Sequence, residues 1–109
     1  MPALPQAASV DLRALLDIDV WSEPNPVREV KTTTFRAAAA YSIDEILVQI
    51  FDQTGALVFE EESPGDELVW HTDNEYGEYL ANGVYLYQVM ILIEHIWYPS
   101  GVEKLVILR

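Results

Sequence analysis

The sequence predicts an all-β domain built as two antiparallel sheets packed face to face, with about seven strands. Three observations carry that prediction. Apolar and polar residues alternate over short stretches instead of recurring at helical spacing. Glycine, proline, asparagine and aspartate interrupt those stretches roughly every 8–12 residues. The alanine run at 37–40 is too short to nucleate a helix alone.

Residues 1–10 are small and proline-bearing, and read as a linker, which leaves 11–109 as the domain. Residues 11–16 carry the signal of a single helical turn capped by Asp11. From 16 to 21 the pattern alternates, with Leu16, Ile18 and Val20 on one face and Asp17 and Asp19 on the other, which predicts a half-buried strand. Pro24, Asn25 and Pro26 stop it by removing two backbone donors. A second strand is expected at 31–38, where three threonines and Phe35 suit a pleated surface. The third, 46–51, is apolar on both faces and is expected to be central and buried on both sides. Asp52 to Gly55 forms a hairpin turn with glycine where a positive φ is needed. The return strand, 56–61, should put Leu57 and Phe59 on one side and Val58 and Glu60 on the other. A turn at Pro64, Gly65 and Asp66 precedes a short strand at 67–71 carrying Trp70. A turn-rich loop at 72–83 follows, then the longest expected strand, 84–93. Residues 95–101 read as another loop with Trp97 and Tyr98 near its tip, and 102–108 closes the domain.

Composition narrows the function. The 109 residues contain no cysteine, which excludes disulfides, thiolate metal sites and a cysteine nucleophile. The formal net charge is −12, and no lysine or arginine occurs between Ala37 and Glu103. Such a surface repels phosphate backbones and anionic lipid headgroups, so neither nucleic acid nor a charged membrane is an expected partner. Its plain use is solubility. No window reaches the ~18 apolar residues of a membrane helix. The opening residues lack the basic and apolar regions of a signal peptide, so the chain is expected to be a segment of a longer protein.

One order of motifs is specific. Pro24-Asn25-Pro26 precedes a threonine-rich strand ending in Phe35. Val48-Gln49-Ile50-Phe51-Asp52-Gln53-Thr54-Gly55-Ala56-Leu57-Val58 comes next, then Trp70, then Asp73-Asn74-Glu75-Tyr76-Gly77. Leu80-Ala81-Asn82-Gly83-Val84-Tyr85-Leu86-Tyr87 and Lys104-Leu105-Val106-Ile107-Leu108 complete it. This order resembles the immunoglobulin-like domain of the flagellar hook-capping type, whose relatives occur at the C-termini of secreted bacterial proteins such as gingipain-type peptidases and type IX secretion cargo. The resemblance spans 15–109. It implies an immunoglobulin/fibronectin-III-like sandwich. It also implies a non-catalytic accessory domain of a larger secreted or cell-surface protein, acting as sorting signal, spacer or protein-docking module. The family often has Trp-Asp-Gly where this chain has Trp70-His71-Thr72.

Structural roles are expected for Gly55, Trp70, Gly77, Asn82, Gly83, Tyr85 and Tyr87. Gly55 permits a tight reversal, Trp70 fills the space between sheets, and Asn82-Gly83 can end the loop through positive φ. Tyr85 or Tyr87 is placed to fold its hydroxyl onto a loop carbonyl, as in a tyrosine corner. Chemistry is thinly represented. His71 and His95 share no metal-type spacing with a second ligand. Ser22, Ser42, Ser63 and Ser100 lie in no nucleophile-elbow motif. No glycine-rich phosphate loop opens a helix. The acidic loop offers hard oxygens from Asp73, Asn74, Glu75 and Glu78, with Asp66 and Glu67 as further candidates, and calcium is the metal such a set could take. No other cofactor is expected. Tyr76, Tyr79, Trp97 and Tyr98 are the candidate partner-binding aromatics, for a protein or for sugar rings. A strand edge at 103–108 offers a site for strand addition. The alternatives to a docking domain are therefore a carbohydrate-binding module, or a self-assembling filament or surface-layer subunit using 1–10 as a donor segment.

Overall fold

The computed structural model describes residues 16–29 and 31–109. The expected linker at 1–10 and nearly all of the expected helical turn at 11–16 lie outside them. Seven strands are present: β1 (Asp19–Glu23), β2 (Thr33–Ala38), β3 (Glu45–Phe51), β4 (Leu57–Pro64), β5 (Glu67–Trp70), β6 (Gly83–Ile93) and β7 (Ile96–Ile107). They form a three-stranded sheet in the order β1-β2-β5 and a four-stranded sheet in the order β4-β3-β6-β7, with every named pair antiparallel. None of the described residues is helical, and no helix is long and apolar enough to cross a membrane.

Alternation dictates what is buried. Val20, Phe35, Ala37, Leu68 and Trp70 face inward from the smaller sheet, and Ile46, Val48, Ile50, Tyr87, Val89, Ile91 and Leu105 from the larger. Phe35 anchors the centre. Its ring lies 4.9 Å from Tyr87 in an edge-on arrangement and 6.0 Å from Trp70, while Phe59 sits 5.6 Å from Trp70. Full burial of a side chain of this size contributes about 1.5–3 kcal/mol.

Asp52 organises the β3–β4 turn. One carboxylate oxygen accepts from the Thr54 amide at 2.8 Å, the Thr54 hydroxyl at 2.6 Å and the Ala56 amide at 3.1 Å. The Thr54 hydroxyl first, then the Ala56 amide, hold the Asp52 pKa below its ordinary value. Gly55 supplies the reversal with a φ of +90°.

The structure departs from the sequence reading at four places. Residues 96–101 are strand, because the chain reverses earlier, at Glu94 and His95, whose φ values of 48° and 70° suit a two-residue hairpin. Pro99 and Gly101, read as loop formers, mark a β-bulge. The register jumps from Gln88 opposite Val102 to Met90 opposite Pro99, and the Ser100 hydroxyl accepts from the Val89 amide at 3.2 Å. Trp97 and Tyr98 are therefore strand residues of β7 and not loop-tip residues. A second bulge, near Phe51, breaks the expected alternation of β4. Leu57 is exposed, and Val58 and Phe59 both pack toward the core.

β3 is central as expected, but only Ile46, Val48 and Ile50 are buried; Leu47 and Phe51 on its other face are half-exposed. The fourth difference concerns the edge of β7. The Val27 amide donates to the Val106 carbonyl at 2.8 Å, and the Leu108 amide donates to the Val27 carbonyl at 2.7 Å. Asn25 extends the cover, donating to the Lys104 carbonyl at 2.9 Å and accepting from the Val106 amide at 3.1 Å. A strap of residues 25–27 thus occupies the edge that the sequence offered for strand addition.

Candidate functional site

The loop after β5 is a tied corner. Thr72 is fully buried with a φ of 56°, a conformation that a β-branched residue adopts only when held there. Its hydroxyl lies 2.9 Å from the Lys31 carbonyl and accepts from the Arg109 guanidinium at 2.7 Å. Arg109 also donates to the Leu80 carbonyl, and Asn82 grips the Arg109 backbone, donating to its carbonyl at 2.8 Å and accepting from its amide at 2.9 Å. Trp70 donates its indole N–H to the Asp73 carbonyl at 3.0 Å. Tyr85 is the corner tyrosine: its hydroxyl donates to the Ala81 carbonyl at 2.7 Å, and burial pushes its pKa up against the opposing pull of Arg109. Tyr87 lies deep in the core, where burial again raises the pKa and the Ser22 hydroxyl opposes. Asn82 takes no positive φ; Gly83 alone of the pair does, at 152°.

The acidic residues at this corner are partly committed to the loop. The Asn74 side-chain oxygen accepts from the amides of Tyr76 at 2.9 Å and Glu78 at 3.0 Å, and its NH2 donates to the Glu78 carboxylate at 3.0 Å. Gly77 completes the turn with a φ of 80°. Among the described residues no three acidic or histidine side chains gather where they could hold one metal ion. Asp66 lies in the turn before β5, where its carbonyl accepts from the Ala37 amide at 2.9 Å, and Glu67 on β5 pairs with Arg36.

The four aromatics separate by position. Tyr76 is 88% exposed at the loop tip. Tyr79 is flanked by two cations, Lys31 at 4.9 Å and Arg109 at 5.1 Å from its ring centre, so it already serves the corner. Tyr98 packs on the core from β7. Trp97 faces the opposite way, paired with Leu92 on the outer surface of the four-stranded sheet.

That outer surface is the feature the sequence reading missed. Four of the five outward positions of β6 are apolar: Val84, Leu86, Met90 and Leu92, with Gln88 between them. Leu47 and Phe51 flank them on β3, and Trp97, Pro99 and Val102 on β7. Glu60 and Glu62 border this surface on β4, opposite Gln49 and Leu47, with Glu45 beside Glu62. Glu45 has its pKa raised, first by local desolvation and then by the Glu62 charge. Part of the signal is in the sequence, since 46–51 is apolar on both faces, a pattern that reads as a strand buried on both sides.

Three shallow hollows have volumes of about 280, 220 and 230 Å³, at or below the ~300–1,000 Å³ of small-molecule pockets. His71 is exposed after β5, and His95 forms the β6–β7 turn.

No family model and no curated protein matches the chain. Solved structures do. The chain shares the two-sheet sandwich fold of immunoglobulin-like domains of the hook-capping type. It is similar to part of dimeric latent PorU from Porphyromonas gingivalis, at 29% identity and a TM-score of 0.66, over 84% of this chain and 9% of that one. PorZ, described as an essential surface component of the type IX secretion system of the same organism, matches at 25% identity and a TM-score of 0.59, over 83% of this chain and 11% of PorZ. FlgD from Xanthomonas campestris, a hook-capping protein, shares the fold at 17% identity and a TM-score of 0.54, over 93% of this chain and 73% of FlgD. The chain thus spans about a tenth of the length of PorU and PorZ.

Proposed function

We propose that this chain is a non-catalytic accessory domain of a larger secreted or cell-surface bacterial protein, serving as a docking and sorting module in type IX-type secretion. The observation that carries the reading is the domain-sized match to PorU at 29% identity over 84% of the chain. The rest of the molecule agrees with it. Its interior is apolar packing, its hollows are shallow, and its histidines lie on the surface. Recognition by such a domain is made through its surfaces, by apolar anchors within a polar rim.

The test is a fusion of residues 1–109 to the C-terminus of a fluorescent reporter, expressed in a bacterium with an active type IX system. Surface or medium fluorescence that disappears in a secretion-deficient strain is the expected result. A folded reporter that stays inside the cell in both strains removes sorting, leaving docking to be judged by binding alone.

A further inference from the structure

We propose that the outer face of the four-stranded sheet is the docking surface for a partner protein whose contact region is apolar at its centre and carries a row of lysines or arginines along one side. The inference rests on the docking reading above and deepens it. Sheets with one solvated face normally alternate apolar inside and polar outside. Here Leu47, Met90, Leu92 and Trp97 adjoin as a half-buried outward apolar surface across three strands, and Leu86 and the exposed Val102 extend it beyond the Gln49–Gln88 pair. Contiguous exposed apolar surface of this kind marks interaction sites in soluble proteins.

The occupant is fixed by charge. Glu45, Glu60 and Glu62 line the β4 side of the surface, and Lys104 is the cation on the β7 side. Glu45 and Glu62 stand close enough for the Glu62 charge to raise the Glu45 pKa, so the rim carries repulsion that a cationic partner relieves. A second copy of this chain fits poorly. A two-fold pairing of the face would set one lysine against three glutamates, between molecules of net charge −12. β-strand addition is also less suitable, since residues 25–27 already cover the end of β7 and Pro99 lacks a donor on the remainder.

The experiment is a selection of random twelve-residue peptides displayed on phage against the full 109-residue chain. Individual peptides are then synthesised, and their contacts located by amide chemical-shift perturbation. The expected winners combine aromatic or aliphatic residues with lysine or arginine and perturb β3, β6 and β7. Leu86→Ser combined with Met90→Ser should weaken them about tenfold or more, the scale of a hot-spot loss. Glu60→Lys with Glu62→Lys leaves the apolar surface intact and should turn the selection toward acidic peptides. Both variants are checked for an unchanged fold by circular dichroism.

Peptides that map to the Tyr76 loop and ignore both variants overturn the proposal while keeping the docking reading. Failure to enrich any peptide above background overturns both. Concentration-dependent dimers abolished by Leu86→Ser and Met90→Ser would assign the face to a second copy. Flotation with neutral phosphatidylcholine vesicles, lost in the same variant, would assign it to lipid. Either result overturns the basic protein partner.

Discussion

Outside the three-stranded sheet, Arg36 stands between Glu23, at 3.7 Å, and Glu67, while the Trp21 indole donates to Glu23 at 2.9 Å. Outside the four-stranded sheet, apolar side chains meet one another across β3, β6 and β7, and the carboxylates are pushed to one side. Both faces belong to the same sandwich and close over the same interior, around Phe35, Trp70 and Ile50. The difference lies in what satisfies each surface. On the first, Arg36 has two carboxylate partners and the Trp21 ring has an acceptor, with Val69 a single exposed apolar side chain opposite Thr34. The second gains by losing water to something else. Folding needs only the inner positions, so the outer positions of β6 are free to serve recognition.

The sharpest way to break this distinction is to compare an inner with an outer position. Phe35→Ala removes a fully buried ring and should lower stability by about 3–5 kcal/mol, measured by urea unfolding. Leu86→Ser, on the outer face, should cost less than about 1 kcal/mol in the same assay, because the side chain keeps water contact in the native chain. An outer substitution as damaging as the inner one would mean that the face is part of the folding core. Arg36→Ala tests the other surface. Its ion pairs are exposed, so the loss should be about 0–1 kcal/mol and should shrink in high salt, whereas the Leu86→Ser effect should not.

The smallest effect comes from the acidic rim. The raised pKa of Glu45 means that the folded chain holds this proton more firmly than the unfolded chain. The resulting destabilisation is full above the folded pKa and vanishes below the unfolded one. Glu45→Gln should therefore raise the melting temperature slightly at pH 7, and the gain should disappear as the solution is acidified through the carboxylate range. A gain that survives at low pH would place its origin in packing and not in charge.

Much of the fold was legible because strand positions follow from local alternation and turn chemistry. Gly55, Gly77 and the corner built by Tyr85 stand where the motif order placed them. What escaped detection depends on long-range pairing. Pro99 and Gly101 carry the same signal in a bulged edge strand as in a loop, and only the register with β6 separates the two. Asn25 reads as a turn residue, and nothing local reveals that it bonds a strand 79 positions away. The candidate site was legible only in part. Tyr76 and Tyr79 are both exposed, but the cations beside the Tyr79 ring, Lys31 and Arg109, are distant in sequence and not signalled locally. The double-sided apolar pattern of 46–51 was visible, yet a sequence cannot say whether the second face is covered by its own chain.

The strap at 25–27 has a bearing on how the molecule is made. Its residues leave the ribosome long before β7 does, so the guard is already synthesised when the vulnerable strand emerges. Each newly finished molecule can thus seal that flank from within and deny it to sister chains in a crowded compartment. Because the guard also links β1 to β2, loosening it should unsettle the opposite layer, joining protection from fibre growth to the integrity of the whole.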